Sequence, residues 1–260
     1  MSLSLRRPGS RLARAALGLL VAGTAACTRE RLVQGECHPY NGADVCTWGR
    51  LKGDSLVAFG ATVPVKAIEG APAESPMVWP PKMDFALPLP AAVKSATGFD
   101  NLTVFWEPHG HPPGPYLTPH FDFHFNTTDV SKIDCADSTK PAQIPAAYEL
   151  PDVALPQLGT LIGLCVPGMG MHSLPSAELH GTTLFQKTMI VGYYHRQPIF
   201  VEPMITRATL LERHSFPVDI PAVPDRPAGV RYPTQFRADY DSTAQAYKFV
   251  FSGFTGGTHS

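Results

Sequence analysis

The chain has 260 residues, of which 21 are basic, 22 are acidic and ten are histidines, and its formal net charge is −1 at pH 7. A nucleic-acid partner would call for a basic surface, so this charge balance argues against one. The 27 prolines and 22 glycines are spread along the chain and interrupt it too often for long helices. The composition therefore favours short strands joined by loops.

Residues 1–26 are predicted to be a signal peptide, because a basic start leads to an apolar run and then to small residues before Cys27. The apolar run, residues 15–22, is too short to span a bilayer as a helix. Residues 24–27, Thr-Ala-Ala-Cys, resemble the lipobox of bacterial lipoproteins, in which the cysteine is acylated. Cleavage by an ordinary signal peptidase near Ala26, which would give a soluble secreted protein, is the alternative.

Removal of the signal would take away four arginines and leave 17 basic against 22 acidic residues, a net charge of about −5 with neutral histidines. The sequence thus predicts an exported protein of the cell envelope, anchored to the membrane through lipidation of Cys27. Its location would be the periplasm or the cell surface.

Five cysteines in an exported chain leave one over unless one of them has another role, and lipidation of Cys27 supplies that role. The remaining four form an even set that suits an oxidising compartment. The pairs that are close in sequence are Cys37 with Cys46 and Cys135 with Cys165, although four cysteines allow three connectivities. No CxxC motif is present, which disfavours a zinc knuckle or a thioredoxin-like redox site.

Residues 27–54 are predicted to be an N-terminal linker that carries the first cysteine pair, and residues 55–260 to form a single mainly β domain. In chain order, the expected elements are strands at 55–68, 101–108 and 120–126, a hairpin at 182–206, a closing strand at 246–254, and short helices at 91–98 and 208–213. The predicted fold class is mainly β, barrel-like or a sandwich, with one or two short helices. An α+β fold is the alternative.

The segment HFDFHFN, residues 120–126, alternates strictly, so its phenylalanines should lie on one face of a strand and His120, Asp122 and His124 on the other. Four residues of extended chain separate His120 from His124 by about 13 Å, too far for an easy shared metal bond of roughly 2.0–2.1 Å. A site on this face must therefore draw on other groups.

Two later residues are candidates for that role. His172 follows two glycines that permit close backbone approach, and Glu202 lies in an otherwise apolar strand, where an unpaired carboxylate would be costly. The predicted metal ligands are His120, His124, His172 and Glu202, with His109, His111 and Asp122 as secondary candidates. Imidazoles with a carboxylate suit zinc, iron, copper or nickel better than magnesium or calcium.

Three segments, residues 106–125, 167–172 and 199–206, resemble the signature blocks of an uncharacterised family of bacterial exported proteins. The family is typified by a Thermus thermophilus protein controlled by an extracytoplasmic-function sigma factor, and the resemblance covers roughly residues 95–212. It implies where a site lies but brings no activity. The family continues after the histidine of the second block with an aromatic residue and an acid, whereas Ser173, Leu174 and Pro175 stand here.

A weaker similarity is to cupins, in which an HxH pair, a glutamate and a later histidine hold a metal. His109, His111 and His172 can be set on that scheme, but the glutamate is missing at the expected spacing. The likeness to cupins is therefore only an analogy, namely a metal site at the open end of a small barrel.

The leading interpretation is a lipid-anchored envelope protein with a histidine-rich pocket for a divalent transition metal. One alternative is a metal-dependent hydrolase or oxygenase, with Glu202 or Asp122 as ligand or base. Another is a non-catalytic structural or ligand-binding envelope protein without metal. The chain has no GxSxG, HExxH, P-loop or dinucleotide-binding motif, and the sequence leaves open whether it is an enzyme. Expected partners are the membrane, a small molecule of unknown identity and further copies of the chain.

Overall fold

The computed structural model describes residue 1 and residues 29–76, 78–156 and 158–255. Nearly all of the predicted signal peptide lies outside the described residues, and so does Cys27. Within the described part of the chain, no helix is both long and apolar enough to cross a membrane.

The described residues form fifteen strands and four short α-helices. The strands are β1 (Glu30–Tyr40), β2 (Ala43–Lys52), β3 (Ser55–Pro64), β4 (Phe85–Pro88), β5 (Asn101–Glu107), β6 (His120–Asn126), β7 (Tyr148–Glu149), β8 (Val153–Leu155), β9 (Gly159–Leu161), β10 (Met171–Pro175), β11 (Lys187–Tyr194), β12 (Gln197–Thr206), β13 (Phe216–Asp219), β14 (Gln235–Asp241) and β15 (Ala246–Ser252). The helices are α1 (Val65–Glu69), α2 (Ala91–Thr97), α3 (Ser176–Leu179) and α4 (Arg207–Leu211).

The strands form a six-stranded sheet, a seven-stranded sheet and a small two-stranded sheet. The first sheet has the order β1-β2-β3-β15-β14-β13, the second the order β4-β5-β6-β12-β11-β10-β7, and β8 pairs with β9. Every strand pair is antiparallel. The prediction of a mainly β fold is confirmed.

The two large sheets pack face to face, as in a β-sandwich. Aromatic side chains fill the space between them: the ring of Phe123 lies 4.8 Å from that of Phe249, and the ring of Phe125 lies 4.7 Å from that of Phe251. These four rings belong to one large apolar cluster of fully buried side chains. Burial of such aromatic area is the main favourable term that holds the sheets together.

Residues 29–54, the described part of the expected linker, are largely a β-hairpin of the first sheet. Strands β1 and β2 pair along their length, and β2 pairs with β3. Val45, Trp48 and Leu51 of β2 are buried, which the cysteine-based interpretation of this segment did not anticipate. The hairpin is part of the sandwich because Val45 and Leu51 of its second strand belong to the apolar core.

Both cysteine pairs suggested by sequence proximity form disulfides. Cys37 and Cys46 face each other across β1 and β2, and their Cα atoms are 4.0 Å apart. Cys135 and Cys165, with Cα atoms 5.9 Å apart, join two loops that cover the second sheet.

The short helices expected near residues 91 and 208 are present as α2 and α4. Helix α2 ends before Gly98, whose φ of 82° is the left-handed conformation that commonly ends helices. Strand β3 stops at Pro64, and the residues that follow form helix α1, so the expected strand at 55–68 is too long at its end. Proline has no N–H to donate and is favoured immediately before a helix or in its first turn.

Candidate metal centre

Strand β6 is buried on both faces. Its phenylalanines point into the sandwich core, as the alternation predicts, and His120, Asp122 and His124 point to the opposite face with exposed fractions of 0, 3 and 1%. A second apolar layer covers that face: Ile133, Leu164 and Phe185 of the loops pack there against side chains of the sheet. The polar face of β6 is therefore enclosed within the protein.

His124, His172 and Glu202 form the first of two groups, named here the inner triad. Because Val201 pairs with Phe125 and Met204 with Asp122, Glu202 lies opposite His124 on the neighbouring strand β12. The Nε2 atom of His124 is 3.4 Å from Oε2 of Glu202. One ligand atom from each residue of the triad lies within 4.8 Å of the other two.

Phe200 holds the two histidines of the inner triad in place. Its ring centroid is 4.7 Å from that of His124 and 5.2 Å from that of His172, and the two imidazoles are 5.8 Å apart. Gly192, which pairs with both His172 and Phe200, makes room for this ring: a Cβ atom at Gly192 would lie 1.8 Å from it. The glycine is needed for close packing.

The polar atoms of the inner triad are incompletely satisfied. The Nδ1–H of His172 donates to the carbonyl of Leu164 at 3.0 Å, which leaves Nε2 of the neutral ring with a free lone pair. Neither ring nitrogen of His124 has a hydrogen-bond partner among the described residues, and the same holds for Oε2 of Glu202. Buried polar atoms without partners are costly, so their convergence indicates a place for an ion or ligand.

Burial dominates the electrostatics of the inner triad. It lowers the pKa of His124 to about 3, with a smaller contribution from His172, and it lowers the pKa of His172 to about 4. Burial also raises the pKa of Glu202 well above its usual range, and the charge of Asp122 adds to this. Both imidazoles are neutral at pH 7, which is the state that coordinates a metal.

His111, His120 and Asp122 form a second group, named here the outer triad. The Nε2 atom of His111 is 3.7 Å from one carboxylate oxygen of Asp122, and that of His120 is 3.2 Å from the other. The Nδ1–H groups donate to backbone carbonyls, that of His120 to Thr118 at 2.6 Å and that of His111 to Pro112 at 2.9 Å. The ligand atoms of this triad also lie within 4.8 Å of one another.

The turn before β6 positions His111. Gly110 has a φ of 66°, and a Cβ atom there would lie 2.1 Å from the carbonyl oxygen of Tyr116. The amide of His111 donates to that same carbonyl, which folds the proline-rich turn back over the strand. The side chain of His111 remains 30% exposed, so the outer triad borders the surface.

The outer triad balances its own charge. Burial alone would raise the pKa of Asp122, but His120 and His111 hold it well below its usual range. Burial alone would lower the pKa of His111, but the contact with Asp122 raises it to about 9. At neutral pH, the outer triad is thus an ion pair, whereas the inner triad holds two neutral imidazoles.

The seven candidate ligands predicted from the sequence therefore divide into three sets. His124, His172 and Glu202 come together, His120 lies with His111 and Asp122, and His109 belongs to neither triad. The Nε2 atom of His109 is 3.0 Å from Oε2 of Glu74, and its side chain is 43% exposed. The extended strand separates His120 from His124 into different groups.

Both triads border a cavity whose empty volume of about 540 Å³ includes its open mouth. Glu107, at the end of β5 and opposite His120 in the sheet, also lines it and was missed by the sequence analysis. Burial raises the pKa of Glu107 to about 7, and the charge of Asp122 adds to this. The signal that could have found it is the alternation of β5, which places Glu107 on the face of Phe105 and Thr103.

Comparison of the chain with protein-family models, with curated proteins and with solved structures finds no match. The resemblance to the bacterial exported family accordingly stays a prediction.

Proposed function

We propose that the protein is an exported, lipid-anchored envelope protein that binds one divalent transition metal ion at the inner triad. The observation that carries this proposal is the convergence of three nearly fully buried groups with partnerless polar atoms, Nε2 of His124 and Oε2 of Glu202 among them. An ion at this place would satisfy them together. Two imidazoles with a carboxylate suit zinc, iron, copper or nickel.

The outer triad is assigned a supporting role. Nε2 of His120 and Oδ1 of Asp122 also lack a hydrogen-bond partner, but this aspartate faces two histidines, and the charges of Asp122 and His111 offset each other. It would stabilise the face of the sheet beside the metal without being needed to hold the ion.

The cavity beside the inner triad favours a second candidate function, that of a metal-dependent enzyme. Catalytic zinc sites have three protein ligands and one open position, and the set of two histidines and one carboxylate also occurs in non-haem iron oxygenases. His172 and Glu202 line the cavity, so a substrate could approach the metal. A hydrolase or an oxygenase fits this arrangement.

Elemental analysis of the purified protein tests the metal proposal. We expect about one equivalent of transition metal in the wild type, and loss of that metal in His124→Ala and in His172→Ala. His109→Ala is the matched control, because His109 lies outside both triads and should keep the metal. A wild-type protein that holds no metal, and whose melting temperature responds neither to zinc nor to chelator, would refute the proposal.

Export is supported by the two disulfides, which use the four cysteines other than Cys27 and suit an oxidising compartment. Lipidation of Cys27 predicts that the wild-type protein fractionates with membranes and resists extraction by high salt. A Cys27→Ser variant should lose this behaviour. Its retention in the membrane fraction would count against the anchor.

A further inference from the structure

The cavity beside the inner triad has two chemically different sides. Its polar residues belong mainly to the second sheet, where Glu107, Asp122, His172 and Glu202 come from four different strands. The segment that covers the sheet contributes apolar side chains: Leu155, Leu161, Leu164, Val166 and Met169. Leu174 and Ile190 of the sheet also line the cavity, so a ligand would meet polar groups interspersed with apolar ones on the sheet side and an apolar wall on the other.

The segments that line the cavity also carry exposed apolar side chains. Trp79 lines it and is 38% exposed, and its neighbour Val78 is 52% exposed. Leu158, in the turn between Leu155 and Leu161 of the wall, is 44% exposed. Exposed apolar side chains grouped around a cavity commonly mark a binding site for an apolar molecule.

The lining of the cavity is poorly suited to strongly anionic ligands such as phosphates. Three carboxylic side chains, Glu107, Asp122 and Glu202, line it, and neither lysine nor arginine is among its described lining residues. A ligand with a single anionic or neutral donor group can still bind, because the metal ion itself would bind that group.

We propose that this cavity binds a small, largely apolar molecule whose one donor group coordinates the metal of the inner triad, with its apolar body against Leu161, Leu164 and Val166. This inference rests on the proposed metal centre. It adds the chemical class of the ligand, which the metal ligands alone do not determine.

Two hydroxamate probes test the ligand class. Benzohydroxamate and acetohydroxamate carry the same metal-binding group and differ in the apolar body, a phenyl ring against a methyl group. Titration into the cobalt-loaded protein, followed by visible absorption of the cobalt, should give roughly tenfold or more tighter binding of benzohydroxamate, because the ring is removed from water. Equal affinities for the two probes on a protein that binds cobalt would overturn the proposal.

Leu161→Gln places a polar group of similar size in the apolar wall. It should reduce the preference for benzohydroxamate severalfold and leave the affinity for acetohydroxamate unchanged. Leu184→Gln is the matched control, since Leu184 is 55% exposed and is not among the residues that line the cavity. An equal loss of preference in both variants, or in neither, would contradict the assigned wall.

The cobalt titration separates the two proposals. If the wild type shows no cobalt spectrum, the metal centre itself is wrong, and the ligand proposal fails with it. If cobalt binds and the preference for the ring is missing, only the ligand class is wrong.

Discussion

Glu202 is a carboxylic acid in a central strand of the second sheet, where it is 1% exposed. Its Oε2 atom faces His124 at 3.4 Å without forming a hydrogen bond, and burial favours the protonated acid. Such a residue costs stability unless it is paired. Its presence is therefore better explained by a bound ion than by the stability of the metal-free fold.

Glu202→Gln is expected to separate a role in metal binding from a role in the stability of the metal-free fold. The amide keeps the shape of the side chain but coordinates a metal poorly, so metal affinity should fall by more than about 100-fold, since even the outer-shell partners of ligands contribute 10- to 100-fold. The metal-free variant should be as stable as the wild type or more so, because the buried acid is removed. Calorimetric titration with zinc and thermal unfolding in chelator measure the two effects.

A contrary result for Glu202→Gln would be unchanged zinc affinity together with a lower melting temperature in chelator. That outcome would assign Glu202 to a purely structural polar network.

Asp122 controls the protonation of His111 in the outer triad. In the metal-free protein, Asp122→Asn should lower the pKa of His111 from about 9 towards its ordinary value of 6.5, because the carboxylate of Asp122 is the main group that opposes the effect of burial. A proton NMR titration of the His111 ring measures the midpoint. An unchanged midpoint would contradict the ion pair.

The ion pair of His111 and Asp122 also affects the stability of the fold. A histidine whose pKa is raised in the folded state contributes stability that is fully present below pH 6.5 and is lost as the pH rises through about 9. The free energy of unfolding of the wild type should therefore fall over this pH range relative to that of Asp122→Asn. Urea titrations of the metal-free proteins at a series of pH values measure the difference.

Strands β10 and β12 supply His172 and Glu202 of the inner triad, and strand β11 lies between them in the sheet. His172 lies on β10, Gly192 on β11 and Phe200 on β12, and the three residues are in register across the sheet. Phe200 contacts both imidazoles. The positions of the histidines therefore depend on a glycine that carries no chemistry of its own.

Gly192→Ala should displace Phe200 and disturb both histidines. The added Cβ atom would lie 1.8 Å from the ring, so we expect a destabilisation of about 1–3 kcal/mol and weaker zinc binding. Unfolding in urea and calorimetric titration with zinc measure the two effects. A second substitution, Phe200→Leu, should recover part of the stability by relieving the clash.

Gly114→Ala is the control for that experiment, because Gly114 has open space where a Cβ atom would lie and does not have a positive φ. Gly114→Ala should leave both the free energy of unfolding and the zinc affinity unchanged. Full stability and affinity in Gly192→Ala would show that Phe200 does not position the triad.

The described residues form the sandwich and a loop layer that encloses its polar outer face. Cys165 lies between Leu164, whose carbonyl accepts the hydrogen bond of His172, and Val166, which lines the cavity. The disulfide with Cys135 ties this part of the layer down over a sequence separation of 30 residues. We therefore expect enclosure of the inner triad to depend on a bond that contributes no ligand.

Replacement of both Cys135 and Cys165 by alanine should lower stability by about 3–4 kcal/mol, as expected for a loop of this length, and also accelerate metal release. The reason is that the layer over His172 would open more often. Thermal unfolding and the rate of zinc transfer to a chromogenic chelator measure the two effects.

Replacement of Cys37 and Cys46 by alanine is the matched control. This bond joins adjacent strands of the first sheet, at a sequence separation of 9 residues, and none of its residues lines the cavity. Its loss should lower stability without changing the zinc release rate. Equal zinc release rates for the wild type and both double variants would mean that the Cys135–Cys165 disulfide does not enclose the site.

The sequence by itself determined the mainly β class, the two faces of β6 and the identity of the polar groups on one of them. These are local properties: prolines and glycines exclude long helices, and a period of two in HFDFHFN is the geometry of a strand. The cysteine pairs could be suggested on proximity alone, but three connectivities were open until the fold placed the four residues.

The division of the candidate ligands was decided only by the tertiary structure. The pairing register sets Glu202 beside His124, and the space over Gly192 admits the Phe200 ring, which contacts both His124 and His172. His111 instead folds back onto Asp122 through the turn at Gly110. No local pattern contains these distances, because they depend on which strands pair and in which register. Strand pairing and register are in turn determined by burial of the whole apolar core.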